Sequence, residues 1–435
     1  MDILIYLDQQ NTRTTYIFNH IFNHILGLNI EFTSDSIFFT NSQLPKINYS
    51  KKAFSDELFF YSSSLLFEDD ISPQNLTISL YRQVQILFLC NKSVLPFDPF
   101  AASFYMLTRY EEYLPHKKDK IGRFSFDQSV AYKNNFLTTP VVDKWILFIK
   151  EKLLDKFPKI IFKKQKFNFI NTVDIDNAYS YLEKGFFRTL GSTIKDILCL
   201  NSQNIIERFK VIFLNKKDPY DTYDELLRIH KSYGLNTIFF FLLGDYDKYD
   251  KNIHYLNQKL REKIKFISEY CDVGIHLSFS SINNNSSIFV EIDRLRKILN
   301  TEITKNRQHY LYLNIPHNYR NLIQAGIKSD YSMGYPAHPG FRAGTSYNFY
   351  FYDLEKNIST NLLLYPLSVM DVSLNSYLKL NPEKSNELIQ QIINNIKSVN
   401  GTFMSLWHNE SLNYNNKWKG WDSVYENMIR YIYDE

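Results

Sequence analysis

From Phe167 onward, apolar runs of strand length alternate with longer stretches of helical period, and this alternation constrains the fold more than any other feature of the chain. Asn236 to Leu243 is followed by His254 to Tyr270, Asp272 to Ser278 by Ile288 to Leu299, and His309 to Asn314 by Tyr319 to Ala325. Glu383 to Val399, read as helix, and Thr402 to Trp407, read as strand, close the series. Repeated strand-helix units imply a parallel sheet, and about 270 residues of them suit a closed or nearly closed (β/α) barrel.

A chain of 435 residues exceeds one ordinary core. Before Phe167, short strands mix with helical stretches, ending in an amphipathic run from Pro140 through Leu154 and a lysine-rich join from Lys156 to Lys166. We expect a smaller α+β domain over residues 1–165 and an α/β domain, a distorted barrel, over residues 166–435. Met1 to Leu7 has no basic leader and reads as a first strand, not a signal peptide.

Charge and cysteines exclude several classes. A net charge of +4, from 50 basic and 46 acidic residues, gives little long-range field, and neither an arginine-rich block nor zinc-finger spacing occurs, so nucleic acid is not an expected partner. The longest apolar run, Ile238 to Leu243, is too short to span a bilayer. Cys90, Cys199 and Cys271 are far apart and odd in number, which fits a reducing compartment and a cytoplasmic location.

The first barrel run, Phe167 to Asp176, stops on Asp174 and Asp176. Alternate strand positions share a face, so the two carboxylates repel unless a metal, a shared proton or a cation offsets them. In a parallel barrel all strand C-termini open on one face, and this chain sets reactive groups there repeatedly. His276 and Ser278 end one strand, Arg307 and His309 open the strand Tyr310 to Leu313, and His408-Asn409-Glu410 follow Met404 to Trp407. A carboxylate and an imidazole can ligate zinc, a second carboxylate can take a proton from water, and a distant histidine can protonate a leaving group. Trp407 reads mainly as core and Arg342 mainly as a structural cation, while Asn409 and Glu410 are candidates to fix the His408 tautomer. His20 and His24 share the four-residue spacing of zinc helices, but with no third ligand nearby they read as polar residues on an amphipathic helix.

The order Thr-x-Asp-x-Asp, His-x-Ser, an arginine-bearing strand and Leu-Trp-His-Asn resembles the polysaccharide deacetylase family (carbohydrate esterase family 4, NodB-homology) over Phe167 to Glu435. Arg307-Gln308-His309, Asp330 to Tyr335 and Gly340 to Thr345 resemble a bacterial branch with an extra N-terminal domain, as do Phe97 to Phe100 and Ser103 to Tyr113. The resemblance implies a barrel of the NodB-homology type that uses a divalent metal, zinc first, to remove acetyl groups, N-acetyl first, from a sugar or glycan. It assigns Asp174 as general base, Asp176 and His276 as metal ligands, Arg307 as the residue that orients the base, and His408 as general acid. The chain departs from the family where a second histidine is usual four residues after the first: Ser280 stands there. A hydroxyl ligates zinc poorly, so His309, or a water held by Ser280, is the expected substitute. Two alternatives follow: a barrel altered at Ser280 that binds glycans without catalysis, and a glycosyltransferase whose Asp174 and Asp176 hold a metal against a diphosphate.

Overall fold

Strand formation in this chain follows burial on both faces. In the computed structural model, which describes residues 2–413 and 416–434, strand β7 (Asn168–Ile175) is buried from its second residue onward. Phe169, Val173 and Ile175 pack outward against helices, whereas Ile170, Thr172 and Asp174 take the opposite face. Parallel partners extend the sheet on one side through β8 (Thr237–Leu242), β9 (Asp272–Leu277), β10 (Lys305–Gln308) and β11 (Ser329–Met333). β13 (Ile358–Pro366) follows in parallel, and β12 (Phe349–Asp353) forms the antiparallel edge. On the other side lie β15 (Thr402–His408) and β14 (Val369–Met370).

This nine-stranded sheet is curled. Strands spaced about 4.8 Å apart would put β7 and β10 about 14 Å apart if flat, yet Arg307 Nη2 on β10 donates to Thr172 Oγ1 on β7 at 2.9 Å. The residues leaving β13 bring the two halves together: Leu367 N–H donates to Met333 O of β11 (2.9 Å), and Ser368 N–H to Met404 O of β15 (3.0 Å). The mixed α/β architecture is thus consistent with a distorted barrel. Its interior is filled by Ile170, Ile238, Phe240, Tyr331, Met404 and Leu406 among others. Six helices, Tyr223–Tyr233, Gln258–Ser268, Asn285–Leu299, His317–Gln324, Pro382–Lys397 and Trp421–Tyr433, bury apolar stripes in the larger outer cluster. Trp407 is fully buried there against Trp421 and Tyr425, so its core reading holds.

One strand lies where the sequence reading did not put it. The run from His309 to Asn314 is not a strand: β10 ends at Gln308, and His309–Leu311 form a tight turn with Tyr310 and Leu311 at positive φ. β10 is polar because its side chains hydrogen-bond inside the sheet, Asn306 Nδ2 to Asp330 Oδ2 (2.7 Å) and Gln308 Nε2 to the carbonyls of Leu277 and Ser278 (3.1 and 2.9 Å). A strand satisfied in this way lacks the apolar signature by which strands are read.

The N-terminal part builds its own parallel sheet in the order β2 (Asn29–Thr33), β1 (Asp2–Leu7), β3 (Lys46–Ser50), β4 (Leu58–Tyr61), with an antiparallel hairpin of β5 (Ser79–Tyr81) and β6 (Val84–Ile86). The first strand thus starts at Asp2; Met1 and Glu435, the ends of the two expected domains, lie outside the described residues. Helix Thr12–Phe18, continued by the π-wound turns Asn19–Leu26, connects β1 to β2. His20 and His24 stack in those turns at 5.7 Å, and His24 Nε2 hydrogen-bonds Asn348 Oδ1. Between Lys156 and Asn168 no helix or strand forms, and there we propose the domain boundary near residue 165.

Candidate metal centre and active site

The curl brings the C-terminal ends of β7, β9, β10 and β15 around one small cavity of about 140 Å³, lined by Asp174, Asp176, His276, His309 and His408 with Tyr310 at its rim. His276 sits near the end of β9 with Nδ1 2.9 Å from the carbonyl oxygen of Arg307. A carbonyl only accepts, so Nδ1 carries the hydrogen, and Nε2 is left to hold either a second proton or a metal. That nitrogen faces Asp176 Oδ1 at 3.2 Å and Asp174 Oδ2 at 3.7 Å. A ring nitrogen this close to two carboxylates is favourable only with a proton or a metal between them.

His309 follows β10 directly. Its Nδ1 is 2.7 Å from Asp250 Oδ1 and its Nε2 is 3.4 Å from Asp176 Oδ2. Asp250 is held in turn by the backbone N–H groups of Phe279 and Ser280 at 2.8 and 3.0 Å. Of the two substitutes considered for the missing histidine, His309 is the one brought to the cluster. Ser280 contributes its amide to Asp250 and turns its hydroxyl to Ser278 Oγ at 3.0 Å. Donor atoms of Asp176, His276 and His309 lie within 4.8 Å of one another, and among the described residues no other such three-donor group of His, Cys, Asp or Glu occurs.

The donor set fits a divalent cation. Two imidazoles have their outer nitrogens committed, one to a carbonyl and one to a carboxylate, a supporting arrangement typical of metal-ligating histidines. Asp176 Oδ1 and Asp174 Oδ1 are buried without a hydrogen-bond partner. Burial would raise the Asp176 pKa, but His309, His276 and His408 hold it well below the usual carboxylate range. Burial works against charge on His309, whereas Asp176 and Asp250 push its pKa up to about 9. A cation bound by Asp176 would take the place of that proton.

Asp174 is buried inside the barrel beside Arg307, whose Nη1 is 3.7 Å from Asp174 Oδ2. Arg307 is fully buried, with its guanidinium 5.2 Å from the centre of the Phe240 ring, so it is not a solvated surface cation. His408 ends β15 opposite Asp174 in register, and its Nε2 is 3.9 Å from Asp176 Oδ2. Its orientation comes from Asp371, fully buried just after β14, which accepts the His408 backbone N–H (2.8 Å) and lies 2.9 Å from Nδ1. Burial opposes charge on His408, but Asp371, Asp176 and Asp174 raise its pKa to about 10. Asn409 and Glu410 do not have the part suggested for them: Asn409 Nδ2 donates to the carbonyls of Asn177 and Tyr220, and Glu410 faces Lys417. Arg342 lies away from the cavity, bonded to Glu112 and the Gly334 carbonyl.

Three contributors escaped the sequence reading. Asp250 and Asp371 repeat the pattern of an acid after a strand, but one sits in a loop and the other follows a strand of only two residues. Arg123, from the N-terminal part, lines the cavity, anchored on Asp119 Oδ2 and on the Tyr310 carbonyl, each at 2.7 Å. Loop residues 119–126 also wall a second cleft of about 450 Å³ that shares Arg123, Tyr310, Pro336 and Tyr377 with the first.

Comparison with known proteins adds little detail. Residues 3–158 match the model of a family of unknown function (DUF7033). No curated protein matches the chain. Among solved structures, one described as "putative polysaccharide deacetylase from Mycobacterium smegmatis" shares 14% identity over 62% of this chain and 85% of its own, with a TM-score of 0.42. The Xyl-CE4 domain of a multidomain xylanase from the hindgut metagenome of Trinervitermes trinervoides shares 13% identity over 62% of this chain and 84% of its own, at a TM-score of 0.28. A 4-alpha-glucanotransferase from Thermococcus litoralis shares 13% over 62% of this chain and 38% of its own, at 0.36. At such scores the fold rests on the strand pairing above.

Proposed function

We propose that this chain is a metal-dependent hydrolase that removes acetyl groups, N-acetyl first, from a sugar or glycan. The observation that carries the reading is the placement of two kinds of group around one cavity: a donor set of Asp176, His276 and His309, and a separate acid-base pair, Asp174 and His408, each oriented by its own partner. A divalent ion held by the donor set, zinc first, would supply Lewis acidity toward an acyl carbonyl and toward water. Asp174, deep in the barrel beside Arg307, then takes the proton of the attacking water. His408, kept charged by Asp371, hands a proton to the departing nitrogen. The cavity is small, about 140 Å³, and shares Arg123 and Tyr310 with the neighbouring cleft, so we place the acyl group against the donor set and the sugar ring along that cleft.

The proximity of His309 to Asp176 and His276 supports it as the ligand that stands in for the histidine missing at Ser280, and so favours a catalytic barrel over one altered beyond catalysis. A glycosyltransferase leaves His276, His309 and His408 without a task. The reading includes a cytoplasmic setting, supported by three free cysteines. Among the described residues no helix is long and apolar enough to cross a membrane. The test is acetate release from a panel of N-acetylated sugars and oligosaccharides before and after treatment with a chelator. We expect release on at least one member, loss with chelator, and recovery with zinc; release indifferent to chelation would overturn the metal-dependent mechanism.

A further inference from the structure

Directly after the mouth residue Asp176, the chain forms a hairpin of two amphipathic helices, Phe186–Leu198 and Ser202–Phe213, whose polarity is reversed relative to the rest of the molecule. Besides Val211, what the helices bury is an ion pair, Arg208 Nη2 to Asp196 Oδ2 at 2.6 Å, with Arg208 also donating to Thr193 Oγ1. What they expose is apolar. On the first helix Phe186, Phe187, Leu190, Ile194, Ile197 and Leu198 recur at helical spacing, with Phe187 86% and Leu198 79% exposed. The turn adds Leu200 at 89%, and the second helix adds Ile206, Phe209 and Phe213. No side chain of residues 186–217 joins any of the three hydrophobic clusters. Apolar surface on this scale marks a docking face.

Charge selects the occupant. The hairpin Phe186–Phe213 carries four basic side chains (Arg188, Lys195, Arg208, Lys210) against two acidic ones (Asp196, Glu207), and Lys216 and Lys217 follow it. Lys195 and Lys210 are exposed on the two helices, and Lys216 and Lys217 are exposed just beyond the second, facing Glu207 (2.9 Å) and Asp224 (3.6 Å). A second copy docked through this face would set basic against basic, whereas an anionic bilayer complements it: phenylalanine, leucine and isoleucine enter the acyl boundary while lysines reach the headgroups. Helices of 13 and 12 residues are too short to span, so they lie on the surface.

We propose that the hairpin Phe186–Phe213 docks this protein onto an anionic phospholipid surface. Because the hairpin leaves the barrel beside Asp176, docking brings the proposed active site to the membrane; on the deacetylase reading above, on which this clause alone rests, the accessible substrates are glycans attached to a lipid anchor.

The experiment is co-sedimentation of the full chain with vesicles of phosphatidylcholine plus phosphatidylglycerol and with vesicles of phosphatidylcholine alone, for wild type and the double variant Phe186→Ser/Phe187→Ser. Both side chains are solvent-exposed, so the fold does not need them. Expected is binding of wild type to the mixed vesicles, weakened by salt, with affinity about a hundredfold lower in the variant, while acetate release from a soluble oligosaccharide is unchanged. No binding to mixed vesicles, binding equal on both vesicle types, or equal binding by the variant overturns docking. So does a wild-type dimer in sedimentation velocity that the variant dissociates, because a second copy then covers the face. Absent acetate release with vesicle binding intact instead overturns the deacetylase reading and leaves docking standing.

Discussion

Two of the buried charge clusters in this molecule are finished differently. Where the N-terminal part meets the barrel, Arg109 and Arg342 converge on Glu112: Arg109 Nε at 2.8 Å, Arg342 Nε and Nη2 at 2.9 and 2.6 Å. Arg109 also donates to Glu111 and the Tyr335 hydroxyl, and Arg342 to the Gly334 carbonyl. Despite burial, the two guanidinium groups draw the Glu112 pKa down to about 2. At the barrel mouth, by contrast, Arg307 Nε and Nη1 make no hydrogen bond, and neither does Oδ1 of Asp174 or of Asp176. A closed network of charges serves structure, because every buried group is compensated. An open one is costly to keep and marks a place where a ligand completes the set.

The contrast is sharpened most by Asp174→Asn, which keeps shape and burial but removes the base. We expect acetate release to fall by about two to four orders of magnitude, with metal content and thermal stability close to wild type. If turnover persists, the open cluster is not the reactive one. Glu112→Ala should do the reverse: two buried guanidinium groups lose their shared partner, costing about 3–5 kcal/mol of stability in urea denaturation, while metal bound per folded chain stays the same. A third cluster separates charge from satisfaction. Asp143, buried in helix Val141–Lys156, accepts from Thr345 Oγ1 and from the backbone N–H and Oγ of Ser346, with no cation. Burial raises its pKa to about 6, above the ~3.9 of an unfolded carboxyl. The native state therefore binds the extra proton between these values, and stability falls by about 3 kcal/mol as pH rises from ~4 to ~6. The difference in stability between wild type and Asp143→Asn, followed across that window, should show this slope; a flat difference would contradict it.

Smaller effects mark the edges of the comparison. Asp371→Asn removes the charge that orients His408 without touching the donor set, so activity should drop by about 10- to 100-fold at unchanged metal content. Arg82→Ala, which breaks an exposed pair with Glu151, should leave the urea denaturation midpoint close to that of wild type; a clear loss would mean that exposed pairs matter here as much as buried ones.

Much of the barrel was legible because its strands and helices carry the periodicities that burial imposes. Thr402–His408 and Pro382–Lys397 fall within two residues of the expected limits. Asp174, Asp176, His276 and His408 end their strands as read, and all four line the cavity. Arg307 was legible by motif but placed at the opening of a strand that in fact ends one residue after it, because polar side chains satisfied inside the sheet imitate a loop. Asp250, Asp371 and Arg123 were not legible at all. Each acts through a contact across 37 or more positions in sequence, set by the fold and not by any local pattern. The same limit hid the part of Glu112, whose partner Arg342 lies 230 residues away.

The most direct measurement is metal content and acetate release together, in purified wild type and in His276→Ala, by elemental analysis and an acetate assay on N-acetylated oligosaccharides. The account predicts about one divalent ion per chain and acetate release in wild type, with both lost in the variant while the protein stays folded. Wild type with no bound metal and no acetate on any substrate, or a His276→Ala variant that keeps both, would contradict it.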